Sequence, residues 1–322
     1  MDDLVINTRG AYLKKQNNCF VIKTDKITEI SVSKVKSILI TTSAFLSTDA
    51  IKLAVDNNID IVFLDYHGDP YGRVWHSRPG STALIRRKQL KIAEEEKGLK
   101  LAGQWSIEKI ETQIETLNKL KSTRPQVKEE FDANLDKMSN LKEKFENLDG
   151  TIEEKRQTMM GLEGMCSKIY FDSLRQIMPE KFKFNGRSRN PAKDEFNCLL
   201  NYGYGVLYSK IEKACIISGL DPYIGFIHTD NYNKKSLVFD LIEPFRYLAD
   251  RTVLYLFAKK LVKKEHFDKL QNGLSLNKKG KEVLIKQLNE TFEKQIKYRG
   301  RNIKRKNIIQ YRCHEIANGL IK

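Results

Sequence analysis

Apolar and polar positions change rhythm near residue 75 of this 322-residue chain. Before that point short β-branched runs recur: Val21-Ile22, an alternating stretch from 27 to 32 (ITEISV), residues 35 to 41 (VKSILIT) and residues 59 to 64 (IDIVFL). Alternation with period two marks half-buried strands, and short continuous apolar runs mark fully buried ones. Asn17-Asn18, Asn57-Asn58 and His67-Gly68-Asp69-Pro70 separate the runs with turn-favouring residues. One helix is predicted at about 48 to 55, with Ser47 or Thr48 as N-cap and Asp49 in its first turn. These elements describe a small β-sandwich or rolled sheet. It is too small to hide all its strand edges, so pairing with a second copy is a natural use of it.

Residues 73 to 87 (RVWHSRPGSTALIRR) form a break: Pro79-Gly80-Ser81 marks a loop, flanked by Arg73, Arg78, Arg86 and Arg87. From Lys88 almost to the end the pattern is helical. Ile107, Ile110, Ile114, Leu117 and Leu120 form an amphipathic stripe, Pro125 interrupts it, and Leu135, Met138, Leu141 and Phe145 resume it. Because these apolar runs are short, they predict a helical hairpin rather than a coiled-coil dimer. The predicted class is α+β: a β-rich domain over 1–75, a linker over 76–90 and a larger all-α domain over 91–322.

Charge adds a partner to this picture. Lys and Arg number 57 against 41 Asp and Glu, a formal net charge of +16. Residues 106 to 155 hold 9 basic and 12 acidic residues, whereas 259 to 312 hold 17 basic and 5 acidic. Like charges concentrated in so short a stretch oppose compaction and favour a polyanion, so nucleic acid is preferred here over a merely solvated surface. The candidate phosphate contacts are Arg86, Arg87, Arg187, Arg189, Arg301, Lys304, Arg305 and Lys306. No apolar run approaches the roughly 20 residues that a bilayer span needs, and the start (MDDLVINTRG) lacks the layout of a signal peptide. The five cysteines are scattered with no C-x-x-C pair, which argues against a zinc knuckle and fits a reducing cytoplasm.

Among the five histidines His228 stands apart, closing the apolar stretch 223 to 227 and preceding Thr229-Asp230. Asp240 and Glu243 follow at helical spacing i, i+3, sharing a face. Two carboxylates near one imidazole are costly unless a cation neutralises them; by spacing alone, a histidine plus a helix-capping acid is the better reading. Glu163, between Gly161-Leu162 and Gly164-Met165, adds a third acid in a setting where Leu162 and Met165 read as buried. Such a carboxylate needs an arginine or a metal. One imidazole with carboxylates suits Mn²⁺ or Mg²⁺, and beside a basic surface it suggests metal-assisted phosphodiester chemistry.

These residues give the chain a resemblance. It resembles the CRISPR-associated protein one family, the adaptation integrases of CRISPR–Cas immunity, over nearly its whole length. The resemblance rests on Asn7-Thr8-Arg9-Gly10-Ala11, the run from Ile59 to Asp65, Gly161-Leu162-Glu163-Gly164, Arg189-Asn190-Pro191 with Asp194 and Asn197, and Leu200-Asn201-Tyr202-Gly203-Tyr204-Gly205. It is strongest in Asp221-Pro222 through His228 and in the run from Phe239 to Arg246. The chain departs from the common pattern at Met160 and Leu162, where many relatives carry basic or branched residues. The resemblance implies Glu163, His228 and Glu243 as metal ligands, with Asp240 in a supporting role. It further implies a homodimer joined through the β domains, a partner dimer of CRISPR-associated protein two, and insertion of short duplex DNA into a repeat array by 3′-hydroxyl attack. The alternatives are a stand-alone nuclease acting on branched DNA and a catalytically silent DNA-binding scaffold.

Overall fold

The computed structural model describes residues 2–57, 59–65, 68, 70–74, 83–189, 191–228 and 234–321. Asn58, His67, Asp69, His76, Arg78, Pro79-Gly80-Ser81, Asn190 and Thr229-Asp230 of the sequence reading lie outside the described residues.

The N-terminal region is built from β1 (Asp2–Ile6), β2 (Tyr12–Gln16), β3 (Cys19–Lys23), β4 (Ile27–Ser31), β5 (Val35–Ile40), β6 (Phe45–Leu46), α1 (Thr48–Asp56), β7 (Asp60–Leu64) and β8 (Pro70–Val74). Two four-stranded sheets result, in the orders β1-β5-β7-β8 and β4-β3-β2-β6. β1, β5 and β7 run parallel. A parallel sheet is covered on both faces, so its strands lose the alternation of half-buried ones; that is why Ile38-Leu39-Ile40 of β5 and residues 61 to 64 (IVFL) of β7 read as continuous apolar runs. Ile38, Ile40 and Ile61 turn into the N-terminal core with Leu13, Phe20 and Leu53, while Leu39, Val62 and Leu64 turn into the core of the helices. The Ser47 hydroxyl caps α1 by accepting from the Ala50 N–H.

The helical region comprises α2 (Ala83–Ala93), α3 (Glu96–Lys121), α4 (Lys128–Glu146), α5 (Ile152–Ile177), α6 (Glu195–Ser218), α7 (Ser236–Ile242) and α8 (Tyr247–Ala258). It ends in β9 (Phe267–Leu270), β10 (Gly273–Leu276), α9 (Lys278–Glu293), β11 (Gln295–Tyr298), β12 (Arg301–Lys304) and α10 (Arg305–Ile321). Pro125 opens a single 3-10 turn between α3 and α4, which pack on each other as a hairpin. Ile110, Leu117, Leu135, Met138 and Phe145 are buried between them and their neighbours. α6 is buried on nearly every side, as its apolar composition all round requires.

Two hairpins, β9–β10 and β11–β12, interrupt the helices where the sequence reading had continued them. Arg299 and Gly300 at the second turn both have positive φ, the conformation that tight two-residue hairpins demand. Cys166, Cys198, Cys215 and Cys313 are buried free thiols and Cys19 is half-buried. Among the described residues, no helix is long and apolar enough to cross a membrane.

Candidate active site

Three elements bring carboxylates and cations to one point. Glu163 projects from α5, Glu243 opens the 3-10 turn that follows α7, and Lys109 comes from the centre of α3. The Lys109 ammonium lies 2.6 Å from Glu163 Oε1 and 2.7 Å from Glu243 Oε2. Arg246, one turn beyond Glu243, grips the same carboxylate at both oxygens: Nε donates to Oε2 and Nη2 to Oε1, each at 2.8 Å. Burial alone would raise the Glu243 carboxyl, but Arg246 and Lys109 outweigh it and hold the group well below the usual range. Lys109 moves the opposite way: burial would lower its pKa, and Glu243 and Glu163 raise it. Two carboxylates and two cations make the cluster neutral, so it tolerates burial.

His228 is positioned by a different device. Asp240, on α7 and wholly buried, accepts the backbone N–H groups of Phe226 (2.6 Å), Ile227 (3.2 Å) and His228 (3.2 Å). Its Oδ1 also lies 2.6 Å from His228 Nδ1. A carboxylate already accepting three N–H groups makes Nδ1–H the donor and leaves the Nε2 lone pair outward. Burial pushes the Asp240 carboxyl up, against the pull of His228 and the backbone donors. The other end of the loop is held by Gln89 of α2, whose amide donates to Asp221 O and Ile224 O and accepts the Asp221 N–H. Gly225 permits the loop's close approach to α7: a Cβ there would fall 2.5 Å from that of Ser236.

A second tier supports Arg246. Its guanidinium stacks 4.6 Å from the Tyr204 ring, and the Tyr204 hydroxyl donates to Asp250 at 2.6 Å. Arg187 packs against Tyr204 and Phe171 and donates to Asn197 Oδ1 and to Asn201 Oδ1. Arg187, half-buried, is therefore engaged by groups of the fold itself.

The remaining candidates fall on separate elements. Arg86, on α2, lies 3.8 Å from Asp221, and its neighbour Arg87 is exposed. Arg189 and Arg301 are exposed. Lys304 pairs with Glu293 at 2.8 Å, and Lys306 hydrogen-bonds the same carboxylate with its side chain 9% exposed. Glu293, one of the five acids of the C-terminal run, thus compensates two of its lysines, and Lys306 is turned inward. Met165 also departs from expectation: it is 49% exposed, because α5 directs Leu162 and Cys166 to the core instead. A Cβ at Gly161 or Gly164 would meet nothing within 4 Å, so these two positions of α5 face open space.

Whether these residues suit a divalent cation can be judged from the charges they already hold. Glu163 and Glu243 converge on a point that an ammonium occupies, so that point suits positive charge. Carboxylate oxygen and imidazole nitrogen are the donors that Mn²⁺ or Mg²⁺ accept. Among the described residues, no three His, Cys, Asp or Glu side chains are gathered closely enough to bind a metal together. The carboxylate pair fits such an ion, with Lys109 standing in the place of the cation. Sequence reading missed Lys109, although Ser106, Lys109, Gln113 and Thr116 form a buried polar stripe beside the apolar face of α3.

The family model described as "CRISPR associated protein Cas1" matches residues 4–290. A CRISPR-associated endonuclease Cas1 of Archaeoglobus fulgidus is 34% identical over 98% of this chain and 95% of its own length. A CRISPR-associated protein Cas1 of Methanobrevibacter ruminantium is 32% identical over 82% of this chain and 80% of its own. Among solved structures, a casposase bound to integration product superimposes with a TM-score of 0.87 at 23% identity, covering 100% of this chain and 91% of the other. A Cas1 protein of Thermotoga maritima gives 0.83 at 23% identity, covering 100% and 97%. With the match spanning both sheets and the segments that carry Glu163, His228 and Glu243, the chain belongs to the Cas1 family of CRISPR-associated proteins.

Proposed function

We propose that this chain is a metal-dependent DNA endonuclease and strand transferase of CRISPR adaptation. In this reading a 3′-hydroxyl of a short incoming duplex attacks a phosphodiester of the repeat array. One phosphodiester forms as another breaks, and the displaced strand leaves with a 3′-hydroxyl. The observation that carries the reading is the Glu163–Glu243 pair closed on one cationic point. It occurs in a chain alike over nearly its whole length to a protein named as a Cas1 endonuclease.

Glu163, Glu243 and His228 would hold Mn²⁺ or Mg²⁺, with Lys109 yielding its place. The bound ion would act as a Lewis acid toward a phosphodiester oxygen. The chain's own residues supply positioning. Arg246 fixes both oxygens of Glu243, and Asp240 fixes the His228 tautomer and ring plane, as partners behind metal ligands do.

Partners follow from the same reading: double-stranded and branched DNA, a dimer of CRISPR-associated protein two, and a second copy of this chain, acting in the cytoplasm. Support for the homodimer comes from one register row across the second sheet, Ile27, Lys23, Tyr12 and Phe45. Paired positions share a face, and Ile27, Tyr12 and Phe45 are 71%, 39% and 66% exposed. Strand transfer of a labelled duplex into a repeat-bearing plasmid, with and without Mn²⁺, tests the function. Transfer should need the metal and disappear in Glu243→Gln and His228→Ala; full activity in either variant overturns the ligand assignment. Cleavage of branched DNA without any transfer would instead identify a stand-alone nuclease.

A further inference from the structure

The turn over residues 221 to 224 is unusually well held for a surface loop. Gln89, wholly buried, donates to Asp221 O at 2.9 Å and to Ile224 O at 2.8 Å, and accepts the Asp221 N–H at 2.9 Å. The Asp221 carboxylate accepts the Tyr223 N–H at 3.0 Å, and Pro222 O accepts the Leu237 N–H at 3.0 Å. Pro222 contributes its own fixed φ. Yet Tyr223, at the tip, is 49% exposed. Among the described residues its hydroxyl makes no hydrogen bond, and its ring meets no cation and no second ring. Arg86 of α2 stands beside the turn: its Nε is 3.8 Å from Asp221, beyond hydrogen-bond distance, and has no hydrogen-bond partner. Arg87, the next residue, is exposed and unpaired among the described residues.

Exposed apolar side chains are common and need no ligand. Tyr223 differs because a rigid backbone presents a flat ring that the fold itself does not use. A side chain fixed in advance loses little freedom on binding. An aromatic face with guanidinium groups close by suits a base and its phosphates together. We propose that Tyr223 is a stacking platform for an unpaired nucleobase, with Arg86 and Arg87 on the adjoining phosphates. Bases inside a duplex are already stacked on one another, so the ligand is a base freed at a strand end or branch. Stacking tolerates any base, because each has a π-face. Tyr223 and His228 belong to one loop, clamped by Gln89 at one end and by Asp240 at the other. Five residues span at most about 18 Å, so a base held at Tyr223 keeps its strand within that distance of His228. The inference rests on DNA as the substrate, as proposed above, and not on the metal.

The test uses the full chain in chelator, as wild type, Tyr223→Ala, Tyr223→Leu and Tyr223→Phe. The probes are a blunt duplex and a branched duplex with single-stranded arms, 2-aminopurine standing at successive arm positions; its fluorescence falls when it stacks. Wild type should bind the branched DNA more tightly than the blunt one and quench 2-aminopurine at a defined position. Tyr223→Ala should lose the quenching and weaken the branched DNA by about 5- to 150-fold, with the blunt duplex unchanged. Tyr223→Phe should keep both properties, and Tyr223→Leu, apolar but without a ring face, should behave as Tyr223→Ala. Substitution of so exposed a ring should leave Tm within about 2 °C of wild type, so the loss of binding is not a loss of fold. Arg87→Gln should flatten the salt slope for the branched DNA by about 0.7 for a single-strand phosphate no longer neutralised. Quenching that survives in Tyr223→Ala, or full affinity in Tyr223→Leu, overturns the stacking role. Wild type that binds both DNAs but leaves 2-aminopurine bright overturns this inference alone, whereas failure to bind either DNA overturns the proposed function with it.

Discussion

Replacing Lys109 by Met removes an ammonium and little else, because the side chain keeps its length and apolar stem. The lysine is buried, 2.6 Å from Glu163 and 2.7 Å from Glu243. Breaking a buried ion pair by removing one partner costs about 3–5 kcal/mol. Two features place this case at the lower end. The Glu163 side chain is 21% exposed and can recover hydration, and Glu243 keeps both hydrogen bonds from Arg246. A loss of about 3 kcal/mol, at roughly 2–4 °C per kcal/mol for a domain of this size, lowers Tm by roughly 6–12 °C in chelator. The vacated point then suits a divalent ion without competition. At a hundredfold excess over Kd a ligand adds about 2.7 kcal/mol, so Mn²⁺ should return most of the loss. Mn²⁺ should also bind the variant more tightly than wild type. Calorimetric melting in chelator and in Mn²⁺, with Mn²⁺ titration followed by electron paramagnetic resonance, measures all three effects. An unchanged Tm in chelator would refute the claim that Lys109 neutralises the pair. A lowered Tm that Mn²⁺ leaves untouched would refute the claim that the pair can hold the metal.

Asp240→Asn should keep the fold but lower metal affinity and strand transfer by about 10–100-fold, because the partner that fixes the His228 tautomer is altered; metal titration and the transfer assay check it. Arg301→Gln with Arg305→Gln should weaken duplex binding alike for unrelated sequences and flatten the log–log salt slope by about 0.9 for each phosphate no longer neutralised. Identical slopes would show that these side chains only face water. The Asp3 carboxyl, which burial alone would raise, is held from its ordinary 3.8 to about 2 by Lys210. A depressed carboxyl stabilises the fold above its unfolded pKa and loses that contribution as pH falls through the folded one. Urea midpoints should therefore place Asp3→Asn below wild type at pH 6, with the gap closing as pH falls from about 4 toward about 2. Ile27→Lys with Phe45→Lys should convert the proposed dimer to monomer by light scattering; an unchanged mass would place the interface elsewhere.

The hydrophobic rhythm by itself located β3, β4, β5, β7 and α1 but left β1, β2, β6, β8 and the two C-terminal hairpins unmarked. It separated a β-rich N-terminal region from helices, narrowed the α1 cap to Ser47 or Thr48, broke α3 from α4 at Pro125, and put Leu135, Met138 and Phe145 on a buried face. Each of these depends on residues within a turn or two of one another, and backbone geometry converts that spacing directly into a face. The chemistry of Glu163, His228, Asp240 and Glu243 was legible for a similar reason: acids and an imidazole in apolar runs demand partners wherever the chain goes. Who the partners are was decided only in three dimensions. Lys109 reaches Glu163 across 54 positions of sequence, Lys210 reaches Asp3 across 207, and Asn7 reaches Glu282 across 275. No local periodicity encodes such pairs. The same limit explains the misreading of the C-terminal run, where Glu293 binds Lys304 and Lys306 across a hairpin that its lysine content had disguised as helix. Spacing along the chain fixes which way a side chain points from its own element. Charge is balanced through space, between elements that only the packed fold brings together.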